Sequence, residues 1–143
     1  MEHEPVVYVV DDDASVRRGL TNLLRSAGWR AEAFTSADEY KRASLPAVPC
    51  CLVLDVRLPG LSGIDLQREL ATREVSPAIV FVTGHGDIAI AVEKIQRGAV
   101  EFLTKPFREQ DLLDAITRAV DRHRGELGAH VERSELRGEL AHE

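Results

Sequence analysis

The stretch Cys51-Leu-Val-Leu-Asp55-Val-Arg-Leu-Pro-Gly60 decides the fold. A run of apolar residues ends on a carboxylate, and a Pro-Gly turn follows at once. A short segment apolar on both faces is the pattern of a strand buried inside an α/β sheet. Asp55 then stands where that strand leaves the core. Open α/β sheets place their chemistry in the crevice at the carboxyl ends of their strands. A lone aspartate at a strand end more often starts a turn, so the flanking segments must decide between the two readings.

Working outward, residues 6–10 (Val-Val-Tyr-Val-Val) form another β-branched and aromatic run, which ends on Asp11-Asp12-Asp13. Residues 78–82 (Ala-Ile-Val-Phe-Val) form a third, ending on Thr83 and then Gly84-His-Gly86. Shorter strands are predicted over 29–34 and 99–103, the second leading into Thr104-Lys105-Pro106. Helical spacing fills the gaps. Val16, Leu20, Leu23, Leu24 and Ala27 form the stripe of a helix that Gly28 closes. Ser36 is placed to cap a helix over 37–44, and Ser62 or Gly63 opens one through about Arg73. Asp87 is placed to cap a helix with Ile88, Ala91, Val92 and Ile95 on its inner face, ended by Gly98. The last helix is expected over 109–124, with Leu112, Leu113, Ile116, Ala119 and Val120 inward. Five strands alternating with five helices imply a parallel sheet covered on both faces.

Composition bounds the rest. At 143 residues, 44% hydrophobic and 29% charged, the chain fits one globular domain. No apolar run approaches the roughly 20 residues of a membrane-spanning helix, and the start Met1-Glu-His-Glu-Pro5 is unlike a signal peptide. A net charge of -6 makes this chain alone a poor binder of DNA or anionic membrane. Cys50 and Cys51 are adjacent and alternate across a strand, so they read as small apolar residues in a reducing cytoplasm. After Arg124 the sequence is charged and punctuated by glycines, which reads as a frayed helical extension or interdomain linker over 125–143.

Parallel strands share one carboxyl edge. Asp11, Asp12, Asp55, Thr83 and Lys105 therefore converge from four separate segments. Singly, each has a plain explanation as a cap, a turn or a solvated strand end; their coincidence on one edge is harder to dismiss. Two like charges about 4 Å apart repel by roughly 4 kcal/mol at an effective dielectric of 20. Clustered carboxylates therefore take up protons or a cation. Oxygen-only ligands favour Mg²⁺ shared with a phosphate. An aspartate can serve as nucleophile and form an acyl phosphate, while an ammonium and a hydroxyl suit the equatorial oxygens of a transferring phosphoryl group.

With these pieces in place, the chain resembles a two-component response-regulator receiver domain over about residues 4–124. The resemblance rests on Tyr8-Val-Val-Asp11-Asp12-Asp13, Leu54-Asp55-Val-Arg-Leu-Pro-Gly60-Leu-Ser-Gly63, Val82-Thr83-Gly-His-Gly-Asp87 and Glu101-Phe102-Leu-Thr-Lys105-Pro106-Phe107. The wording is most similar to the FixJ branch of FixJ/NarL-type regulators. The resemblance implies a flavodoxin-like (βα)5 sandwich with strand order 2-1-3-4-5, a receiver over 1–124 and a DNA-binding output domain beyond the 125–143 extension. Asp55 would accept phosphate from a sensor histidine kinase. Asp12, Asp55 and the Arg57 backbone carbonyl would hold Mg²⁺ (or Mn²⁺), with Asp11 acting through water and Asp13 peripheral. Lys105, followed by a cis bond to Pro106, would pair with the phosphoryl group. Thr83 and Phe102 would form the switch, and Phe102 lacks the hydroxyl of a tyrosine, so its switching would rest on packing. The fourth helix, fifth strand and fifth helix would form the responsive surface, with Ile90 as a contact in a homodimer formed on phosphorylation. The implied protein is cytoplasmic, not an enzyme, and meets DNA only through the output domain.

His85 beside Thr83 suggests an acid or base, but the resemblance makes it part of the loop. Trp29 reads as packing away from the site. Two rivals remain. A haloacid-dehalogenase-type phosphohydrolase would use Asp11 as nucleophile, but it leaves Asp55 without a task, needs a second acidic pair on a strand after Lys105 that the sequence does not supply, and leaves no room for a cap domain. A pseudo-receiver would keep the fold only for binding other proteins.

Overall fold

Five strands, Val6–Val10 (β1), Arg30–Phe34 (β2), Cys50–Leu54 (β3), Ala78–Thr83 (β4) and Val100–Thr104 (β5), form one parallel sheet in the order β2-β1-β3-β4-β5. This is the computed structural model of the chain, which describes residues 4–94 and 100–136. β1, β3 and β4 are buried along their whole length, as runs apolar on both faces require. β2, at the edge, is mostly exposed, with Ala31 its one buried residue.

The two faces of the sheet bury different side chains. Val7, Val9, Cys51, Val53, Val80 and Val82 pack against helices Ala14–Ser26 (α1) and Glu109–Leu136 (α5). Val6, Tyr8, Leu52, Leu54 and Phe81 pack against Ala37–Arg42 (α2), Gly63–Leu70 (α3) and His85–Lys94 (α4). Cys50 and Cys51 are buried free thiols. Trp29 packs partly buried against the α1/α5 side.

The register aligns the strand ends. Val10 pairs with Leu54 and Phe34, and Thr83 pairs with Thr104. Backbone bonding continues one step beyond the strands: the Asp11 amide donates to the Phe34 carbonyl, that of Asp55 to Val10, and that of Lys105 to Thr83. The ladder therefore pins the backbones of all three residues at one edge.

Several boundaries differ from the sequence-based expectation. α2 stops at Arg42 and α3 at Leu70, short of 44 and 73, with Ala43 already extended and 71–75 in turns. Asp87 is not the cap of α4: the helix begins at His85, and the Asp87 carboxylate is drawn to Arg57 instead. Val92, expected inside, is 53% exposed, while Ala91 is fully buried. Ala27 is exposed at the end of α1. Ile95 and Gly98 lie outside the described residues, as does the side chain of His85, whose backbone is helical rather than loop.

The largest difference is at the C-terminal end. The sequence predicts the last helix over about 109–124 with a frayed helical extension or linker after it; α5 instead runs unbroken to Leu136 through Gly125 and Gly128. Each helical glycine costs about 1 kcal/mol relative to alanine. The helix continues because its inner side still finds partners, with His123 and Ser134 buried and Leu127 half-buried. Residues 125–136 thus continue the domain's own last helix.

Candidate functional site

Asp55 lies at the centre of the carboxyl edge. Its Oδ1 accepts from the Thr83 hydroxyl at 3.1 Å and from the Arg57 amide at 3.1 Å. Its Oδ2 accepts from the Lys105 ammonium at 3.2 Å. The same ammonium lies 3.6 Å from Oδ2 of Asp11. One cation therefore stands between two carboxylates, and Thr83, 1% exposed, has its hydroxyl committed to one of them.

Each side chain is held by local structure. Asp11 is 4% exposed, and its Oδ1 accepts from the Asp13 amide at 2.9 Å. Its backbone carbonyl accepts from Arg17 Nη1 at 2.8 Å. Asp13 caps α1, accepting from the amides of Ser15 and Val16, which is a structural task away from the other acids. Ser62 caps α3 through the Asp65 amide, and Gly60 turns the preceding loop at φ 74°. Gly63 is required for a different reason: a Cβ there would overlap the Asp55 carbonyl oxygen and crowd Cα of Val56. The Lys105–Pro106 bond is cis.

Burial raises the pKa of Asp11, the Asp13 amide and Lys105 partly offset this, and the Asp55 and Asp12 charges raise it further. Burial alone would lower the pKa of the Lys105 ammonium, but the Asp55 and Asp11 charges and hydrogen bonds outweigh it and the net shift is upward. The pocket thus holds more negative charge than its single ammonium balances. Among the described residues no group of three or more His, Cys, Asp or Glu side chains is arranged to enclose a metal ion. Asp12, exposed at the mouth, and Asp55 offer a smaller oxygen-only set alongside backbone carbonyls. That set fits a hard cation that keeps several of its own waters, as Mg²⁺ does, and not one that needs a complete protein cage.

An open groove of about 590 Å³ adjoins the acids, lined by Asp12, Val56, Arg57, Asp87 and Ile90 among others. Across it the Arg57 Nε donates to Asp87 at 2.8 Å, tying the first turn of α4 to the loop after β3. Sequence reasoning used only the Arg57 carbonyl and missed this pair, since a contact between residues 30 apart leaves no local signal. The role of Gly63 was equally hidden. Ile90 is 43% exposed, and Phe102 is half-buried, stacked on Phe81 at 5.5 Å between ring centroids.

A sheet of order 2-1-3-4-5 with an acid cluster, a hydroxyl and an ammonium on its carboxyl edge defines a class, and the sequence match agrees: residues 7–117 match the response regulator receiver domain family, and the chain belongs to it. The chain is 56% identical over 119 residues to nodulation protein W of Bradyrhizobium diazoefficiens, covering 83% of this chain and 52% of that protein. It is 41% identical over 116 residues to the transcriptional regulatory protein FixJ of Azorhizobium caulinodans, covering 81% and 55%. The chain thus spans about half the length of these curated relatives. The structure of the response regulator StyR matches with a TM-score of 0.84 and 44% identity over 98% of this chain and 71% of that one. The FixJ-N structure matches at 0.73 and 35%, over 85% and 96%.

Proposed function

We propose that Asp55 accepts a phosphoryl group from the phosphohistidine of a sensor histidine kinase. The P–N bond to the kinase imidazole breaks as a P–O bond to Asp55 forms, leaving an acyl phosphate. The observation that carries this reading is the division of labour at Asp55: Thr83 and the Arg57 amide engage one oxygen, and Lys105 the other. Those donors are already placed to follow the oxygens of a group added there. Asp12, Asp55 and the Arg57 carbonyl would hold Mg²⁺ (or Mn²⁺), with Asp11 acting through water. The cation would supply charge neutralisation for the incoming phosphate.

The phosphate adds about two negative charges. Thr83 then turns its hydroxyl from the carboxylate to the phosphoryl oxygen, and Phe102 repacks on Phe81. The α4–β5–α5 surface changes, Ile90 becomes part of a homodimer contact, and a DNA-binding output domain responds. The chain acts in the cytoplasm as a phosphoacceptor that assists its own phosphorylation and dephosphorylation, not as an enzyme with a separate substrate. No described helix is long and apolar enough to cross a membrane.

The hydrolase alternative needs Asp11 as nucleophile. Asp11 is 4% exposed and engaged by Lys105 and the Asp13 amide, whereas Asp55 sits at the centre of the donors. Incubation with Mg²⁺ and acetyl phosphate, followed by intact mass, tests the proposal. One added phosphoryl group, labile to hydroxylamine and absent in Asp55→Ala, is expected. Labelling that survives Asp55→Ala but not Asp11→Ala would transfer the role to Asp11. Absence of labelling in the unmodified chain would leave a protein-binding module.

A further inference from the structure

A second cavity lies at the opposite end of the sheet from Asp55. It measures about 250 Å³ and is lined by Tyr8, the loop before β3, the turn before β4 and the far half of α5. It exists because α5 passes the end of the sheet instead of stopping there. His123 is buried beside it and accepts the Cys50 amide at Nδ1, 2.9 Å away, and Leu127 lines the next turn of the helix.

The polar groups around this cavity have one character. Tyr8 is 1% exposed, and its hydroxyl has no hydrogen-bond partner among the described residues. Burial above all, with the Cys50 and Glu32 charges, pushes the Tyr8 pKa up to about 12, so the group stays an O–H donor. Burial lowers the pKa of His123, and since its Nδ1 accepts the Cys50 amide, the neutral ring carries its proton on Nε2. Arg73 lines the cavity, is exposed, and makes no ion pair among the described residues. Among the described residues, no Asp or Glu lines it. Tyr40 and Cys50 also line it, both held in their protonated, uncharged forms by burial, and the rest of the wall is apolar, with Leu45, Pro46, Val48, Val75, Pro77 and Leu127. Donors and a cation without an acidic partner favour an anion. An apolar wall favours an uncharged body attached to it.

We propose that this cavity binds a small carboxylate with an apolar body, its charge on Arg73 and its acceptor oxygens within reach of the Tyr8 hydroxyl and the His123 imidazole. The body fits by size: a cavity of about 150 Å³ holds a benzene ring, and this one is about 250 Å³. The ligand would bridge β1, the start of β3 and α5, fastening the helix that leads out of the domain. It rests on no part of the phosphoacceptor reading.

The test is an amide NMR titration of the full chain with sodium benzoate, alongside acetate and benzyl alcohol. Saturable shifts are expected at Tyr8, Cys50 and His123, with acetate and benzyl alcohol each roughly tenfold weaker, a difference worth about 1.4 kcal/mol. Tyr8→Phe and Arg73→Gln are each expected to weaken benzoate roughly tenfold while phosphorylation at Asp55 is unchanged. Tyr8→Phe gives up no hydrogen bond among the described residues, and Arg73→Gln, at the surface, keeps the test decisive if the core substitution disturbs folding. Absence of saturable shifts, or benzoate affinity that Arg73→Gln leaves unchanged, overturns the site and leaves a solvent-filled recess.

Discussion

At the scale of single residues, the Lys105 ammonium carries the electrostatics of the carboxyl edge. It lies 3.2 Å from Asp55 and 3.6 Å from Asp11 and has no substitute nearby. If Asp55 is the phosphoacceptor as proposed, Lys105→Met removes a donor from it, and such losses slow the chemical step by about a hundredfold. The prediction is read from the time course of labelling by acetyl phosphate. Gly63 is set by contact instead of charge. Gly63→Ala drives a methyl into the Asp55 backbone, and backbone cannot turn aside as a side chain can. A loss of about 3 kcal/mol is expected in urea denaturation. His123 sets a pH dependence. Burial lowers its folded pKa, whereas the unfolded chain takes a proton near pH 6.5. The unfolded state then binds more protons below about pH 6.5, so this contribution to stability is intact above that pH and is lost as pH falls towards the folded pKa. His123→Gln keeps an acceptor for the Cys50 amide and removes the titration. Thermal melts across this range should show the wild-type advantage shrinking with acid.

At the scale of elements, α5 is two helices' worth of work in one. Its first half buries Leu112, Ala115, Ile116, Ala119 and Val120 against the sheet. Its second half is held by the bond from the Cys50 amide to His123 and by Leu127. Gly125 and Gly128 weaken that second half, and a Cβ at either meets nothing within 4 Å. Gly125→Ala and Gly128→Ala should each raise stability by about 0.5 to 1 kcal/mol, measured by urea denaturation monitored by circular dichroism. Equal or lower stability would mean that the helix frays in solution before Gly125. α4 is the weaker counterpart: its first turn is tied down by the exposed Arg57–Asp87 pair, and surface pairs of this kind are worth well under about 1 kcal/mol. An element held so lightly is suited to move.

At the scale of the molecule, Asp12 and the exposed Ile90 of α4 line one groove, which also takes in Val56 and Arg57 directly after Asp55. A charge change at Asp55 therefore acts beside the surface proposed to dimerise. Ile90→Glu should leave monomer stability within about 0.5 kcal/mol, since it is an exposed site, and should abolish dimer formation on phosphorylation. Sedimentation velocity with and without acetyl phosphate reads this directly. A phosphorylated dimer that persists in Ile90→Glu would move the contact elsewhere.

Pattern along the chain was enough for the sheet, its order of elements and the identity of the edge residues. Strand burial and helical spacing are local properties, and parallel topology sends every strand end, with Asp11, Asp55, Thr83 and Lys105, to the same side. It misjudged Asp87 and the end of α5 because each depends on a partner distant in sequence: Arg57 for Asp87, and the base of the sheet for Leu127; Val92 it placed inside, where Ala91 is the buried residue instead. The close approach of Gly63 to Asp55, the His123–Cys50 bond and the donor-lined cavity at the base have the same origin. They arise only when separate segments pack, and no spacing within one segment encodes where its neighbour's backbone will lie.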